Sequence, residues 1–173
     1  MRSIIRANPL GRAAGAFLVG AVAVLVVHQP VVGLLHALGA TPITPYSFRA
    51  TQPWGIPVFL SLSFWGGIWT IPIAGILDRL PRGWIYWVGA FGLGALPPTL
   101  TTWFVILPLK ALSAGAAGAS VGAINALVVN GIWGLAVAFA WSRIFAVPSI
   151  TPAPVIHPGN RIIAAQLEHR RNS

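Results

Sequence analysis

The chain has 173 residues, 56% hydrophobic and only 8% charged, with eleven basic side chains against two acids and a formal net charge of +9. That balance belongs to the membrane class and leaves too little polar chain for a soluble catalytic domain. The absence of cysteine excludes disulfides, thiolate clusters and a cysteine nucleophile. The basic residues are scattered through flanks and loops without interleaved aromatics, which speaks against nucleic acid and for anionic lipid headgroups.

At the N-terminus, Arg2, Arg6 and Arg12 precede an apolar run in the manner of a secretory signal. The run exceeds the about 7–15 residues of a signal core, and Leu38-Gly39-Ala40 is a poor cleavage site. A retained signal anchor is therefore expected, with a very short organellar transit peptide as the other reading.

Four apolar stretches follow, at about 13–38, 54–77, 84–109 and 114–141. Each is longer than the ~20 residues that carry a helix across ~30 Å of hydrocarbon. They predict an all-α fold, an integral membrane four-helix bundle. A basic segment 1–12 precedes the membrane domain 13–143, and a Pro-rich basic tail 144–173 follows it. Within that tail, Asn160 is placed to cap a short amphipathic helix over 161–171.

Charge sets the orientation. With four spans, Arg2, Arg6, Arg12, Arg79, Arg82, Arg143, Arg161, Arg170 and Arg171 share one side, against Arg49 and Lys110 on the other. The positive-inside rule then puts both termini in the cytoplasm of a cell whose inner (plasma) membrane holds the chain. Trp84, Tyr86, Trp87 and Trp141 mark the inner interface and Trp54 the outer one. The Pro-rich outer loop 41–57 reads either as an interfacial linker or as a cap over the helices.

The sequence also repeats. Residues 15–21 (GAFLVGA) match 89–95 (GAFGLGA) at an offset of 74, and Gly67-Ile68-Trp69 matches Gly131-Ile132-Trp133 at an offset of 64. Two spans per unit preserve orientation, so the pattern is either coincidence in an Ala/Gly/Leu-rich chain or two parallel helical-hairpin repeats. Small residues four apart, at Gly11 and Gly15, Ala16 and Gly20, and Gly118 and Gly122, mark faces for close helix contact.

Chemistry concentrates at His28-Gln29-Pro30 inside the first span. Pro30 removes a donor and clashes one turn back, near Val26, so a carbonyl is freed beside two polar side chains. An ionisable residue within a span invites a functional reading, though a neutral histidine also serves as an interhelical hydrogen-bonding group. Asn125 and Asn130 are its expected partners, or Thr101 and Thr102 if the third span is nearer. Thr99, Thr101 and Thr102 are alternatively there to relieve the Pro97-Pro98 break. The candidate ligand-binding group is thus His28, Gln29, Asn125 and Asn130.

His36 lies ~12 Å from His28 along a helix axis, too far to share a metal, and no metal or cofactor is expected. His36 and Lys110 suit snorkelling to headgroups. Asp78 sits beside Arg79 at the inner end of the second span. The first span holds no glutamate, the residue that four-span small multidrug transporters carry there, which argues against that class. With no buried acid, nucleophile or metal set, the expectation is a non-enzymatic accessory or structural subunit. Its partners are the bilayer, itself or other membrane subunits. The alternative is a small transporter or channel for a neutral or anionic solute, with its path around His28.

Overall fold

The computed structural model describes residues 8–109 and 121–145. Arg2, Arg6, Lys110, Gly118 and the expected tail helix over 161–171 lie outside the described residues. Among those described there are four helices and no strand: α1 (Pro9–Ala37), α2 (Val58–Leu77), α3 (Trp84–Leu109) and α4 (Val121–Ile144). All four are long and apolar enough to cross a membrane.

Helix α1 starts before the apolar run does. Asn8 accepts from the Leu10 N–H at 3.0 Å and Pro9 occupies the first turn, so a cap and a proline preset for helix begin it four residues ahead of Ala13. Arg12 is consequently inside the first helix and not in a segment that precedes it. At the other boundary α2 begins at Val58, later than position 54, because Pro53 and Pro57 hold the intervening chain in a turn. Helix α4 runs three residues past Trp141.

Two helices carry a one-turn change of register. In α1 the residues Val24–His28 form a π segment, closed by the Gln29 N–H bonding the Val24 carbonyl. In α3 the same occurs at Thr102–Ile106. Each π segment ends two residues before a proline, Pro30 or Pro108, which cannot supply the next backbone donor.

Glycines let the helices meet backbone to backbone. A Cβ at Gly20 of α1 would strike the Thr70 hydroxyl and the Gly66 carbonyl of α2; one at Gly94 of α3 would strike the Asn130 carbonyl and the Gly134 Cα of α4. Phe17 lies over Gly67 in the first pair and Phe91 over Gly131 in the second. The pairs are joined by Trp133 of α4, whose indole N–H donates to the Gly20 carbonyl at 3.1 Å. Around it Ala23, Val24, Ile73, Leu77, Tyr86, Ala90, Val137 and Ala138 form the buried core.

Residues 38–57 fold back on α1 as a cap. Pro45 packs on Gly33, Tyr46 and Phe48 set their rings edge-on to Phe59, and Ala50 bridges Pro57 to close a turn containing a cis Gln52-Pro53 bond. The segment is thus a cap and not a plain linker.

Candidate functional site

Two polar groups stand out, one at mid-helix beneath the cap and one at the opposite end. The first begins where Pro30 interrupts α1. The orphaned carbonyl is that of Leu25, not Val26, because the π register makes each N–H reach five residues back. The Tyr46 hydroxyl donates to it at 2.7 Å, and the Tyr46 backbone N–H donates to the Gln29 side-chain oxygen at 2.7 Å. Both hydrogen bonds bind the cap to the break. Gln29 is buried, which a primary amide tolerates only with such a partner.

His28 points the other way. The polar side chain it interacts with is Asn130 of α4. Asn130 in turn donates from Nδ2 to the Thr99 hydroxyl of α3 at 2.8 Å, and Thr99 is buried. Asn130 and Thr99 thus tie α4 to α3, and His28 of α1 lies beside Asn130. Among the described residues, the His28 Nδ1 is the single buried side-chain nitrogen or oxygen with no hydrogen-bond partner.

The four residues picked from the sequence do not meet in one cluster. His28 and Asn130 are together. Gln29 is turned to the cap, and Asn125 donates from Nδ2 to the Ala40 carbonyl at 2.7 Å, tying α4 to the start of the cap. Thr102 bonds the Pro98 carbonyl of its own helix at 2.9 Å, answering the proline break locally. His36 Nδ1 sits 3.1 Å from the Thr41 carbonyl at the exposed end of α1.

The second group involves residues given little weight in the sequence. Asp78, at the end of α2, pairs through Oδ2 with Arg12 of α1 and accepts through Oδ1 from the Trp141 indole of α4 at 2.9 Å. The Arg12 guanidinium lies 5.2 Å from the centre of the Trp141 ring, which stacks on Phe145 at 4.2 Å. One carboxylate thus ties three helix ends together. Nearby, Tyr86 donates to the Ala138 carbonyl at 3.0 Å with Arg82 over its ring. The sequence signal for this group was the isolation of Asp78 among arginines. Its neighbour in sequence, Arg79, instead bonds the Gly75 carbonyl of its own helix.

Among the described residues no group of three or more His, Cys, Asp or Glu could hold a metal ion. Compared with protein-family models, curated proteins and solved structures, the chain matches none of them.

Proposed function

We propose that this is a multi-pass integral membrane protein: α1–α4 each cross the bilayer and pack as a four-helix bundle with both termini in the cytoplasm. Arg12, Arg79, Arg82 and Arg143 stand at the end bearing Asp78 and Arg49 at the cap end, the asymmetry of the positive-inside rule. The inner (plasma) membrane is the matching location. Alkaline phosphatase fused within residues 47–52 should be active, and fused after residue 160 inactive; the reverse pattern refutes the orientation. The two hairpins are read as parallel repeats, supported by Phe17 on Gly67 and Phe91 on Gly131 at the sequence offsets of 74 and 64.

Within that frame the protein acts as a non-enzymatic accessory or structural subunit, self-associating or packing on other membrane subunits. One observation carries this: most polar side chains within the helices are satisfied inside the protein, largely by backbone carbonyls, while large apolar side chains are exposed on every helix. On α3 the exposed Val88 and Leu96 flank Gly92, beside which nothing lies within 4 Å, a notch fitted to a further helix. Native mass spectrometry from mild detergent should show a dimer or a co-purifying membrane subunit. A strictly solitary chain that moves solute in liposomes would sink this reading.

The unpartnered His28 Nδ1 favours a second reading, a small transporter or channel whose polar path includes His28 and Asn130. Reconstituted vesicles test it directly, through uptake that His28→Leu abolishes while leaving assembly intact.

A further inference from the structure

Helix α2 stops short at the cap end. It pairs antiparallel with α1, Arg12 on Asp78 at one end, Gly20 and Val24 against Gly66 further along. Val58, the first residue of α2, lies eight residues before Gly66. Eight residues past Gly20 and Val24, α1 has reached only His28 and Val32, and it runs on to Ala37. At ~1.5 Å per residue, α1 therefore continues for ~10 Å beyond the start of α2.

The cap fills that gap. It descends α1 turn by turn: Pro45 on Gly33, the Tyr46 N–H on the Gln29 side chain, the Tyr46 hydroxyl on the Leu25 carbonyl. It also closes the start of α2, where first-turn N–H groups have no partner within their own helix. There the Arg49 carbonyl accepts from Val58 at 3.0 Å and the Ser47 carbonyl from Phe59 at 3.4 Å. The remainder is a small turn closed by the Ala50–Pro57 bridge, in which the Thr51 N–H and hydroxyl both donate to the Ile56 carbonyl at 2.8 Å. Pro42, Pro45, Pro53 and Pro57 have no N–H to satisfy. Irregular backbone at membrane depth is tolerated where the protein answers its polar groups in this way.

Depth follows from the opposite end. On the membrane reading above, Arg12, Asp78 and Arg82 mark the inner headgroups. The 20 residues of α2 rise ~30 Å from there, the thickness of the hydrocarbon. Its outer edge thus falls where α2 begins and the cap meets it. Phe48, beside that start, is 78% exposed, and Trp54, in the turn, is 82% exposed. Arg49 is exposed next to Phe48. Aromatic rings with an adjacent arginine suit the boundary between acyl chains and headgroups.

Resting on that reading, we propose that residues 44–57 stand in for the outer turns α2 lacks and dock on outer-leaflet lipid. Phe48 and Trp54 are set into the boundary between acyl chains and headgroups, and lipid covers the apolar face they expose.

The chain has no cysteine, so single cysteines can carry a nitroxide without background. Phe48→Cys and Trp54→Cys would be labelled in the full chain, with Val22→Cys, at an exposed position midway along α1, as the reference. In phosphatidylcholine vesicles, power-saturation EPR compares collisions with oxygen, which concentrates among acyl chains, and with a water-soluble nickel chelate. The oxygen-to-nickel ratio should be highest at position 22, and at positions 48 and 54 severalfold above that of a freely hydrated nitroxide. Phe48 also meets the Phe59 ring, so if Phe48→Cys folds poorly Trp54→Cys decides alone.

A hydrated ratio at either cap position overturns the proposal. Few collisions with either reagent also overturns it, since another protein surface, a second copy included, would then cover the cap. Both outcomes leave the membrane reading intact while position 22 meets oxygen. Nickel access at position 22 removes that reading itself, so the two failures are distinct.

Discussion

The helix pairs α1–α2 and α3–α4 both meet at glycines and differ in what surrounds the contact. In both, a phenylalanine lies over a glycine and a second glycine lets the backbones touch. In α1–α2 the crossing meets the Thr70 side chain as well as backbone, whereas in α3–α4 it is backbone on backbone, Gly94 against Asn130 and Gly134. The ends diverge further. Asp78 at the end of α2 is salt-bridged and indole-bonded, while Ser142 near the end of α4, 64 residues on, bonds the Phe139 carbonyl of its own helix at 2.9 Å. The lesson is that the shared element is steric, set by residues without side chains, and the distinguishing elements are polar.

The sharpest way to break the comparison is to fill the glycines. Gly94→Ala forces apart two backbones that cannot move aside, and should cost about 1–3 kcal/mol, read as reduced resistance to SDS unfolding. Gly20→Ala should cost somewhat less once Thr70→Ala removes the hydroxyl in its way, while no side-chain change should rescue Gly94→Ala. Equal rescue in both hairpins would show that the crossings do not differ as stated.

Next comes the polar tie peculiar to the first hairpin. Asp78→Ala should destabilise by about 1 kcal/mol or less from the partly exposed ion pair, plus the lost indole bond, and Ser142→Ala should be nearly silent. Thermal melts in detergent would compare them, and the Asp78 effect should shrink in high salt where the Ser142 effect does not.

Tyr46→Phe deletes one hydrogen bond and should cost about 0.5–1.5 kcal/mol, with faster amide exchange confined to residues 39–57 and the second half of α1. Exchange spreading into α3–α4 would mean that the cap supports both hairpins alike. The smallest effect is expected at the centre. His28→Leu should weaken the fold by only ~0.6 kcal/mol, the average for interhelical polar contacts in membranes, because one of its ring nitrogens has no partner to lose.

Much of this was legible in the order of residues. The four helices follow from apolar stretches longer than a bilayer is thick, and three of the four expected spans agree with the helices to within a few residues at each end. The break in α1 was legible from Pro30, since a residue lacking an N–H must orphan a carbonyl somewhere. Which carbonyl was decided by the π register, a matter of how the helix relaxes around its neighbours. Asn125, Asn130, Gln29 and His28 were visible as polar residues in apolar surroundings. That two of them meet and two turn to the cap depends on where α4 crosses α1, and nothing local encodes that crossing.

Composition, span length and the placement of prolines and arginines are local or additive quantities, so the sequence alone determined the helices, their breaks and the charge asymmetry of their ends. Pairings such as Tyr46 with Leu25, Asn130 with Thr99, and Asp78 with Arg12 and Trp141 join residues from 21 to 66 positions apart. They exist because glycines at particular turns let particular backbones approach, and only the tertiary structure decided which ones.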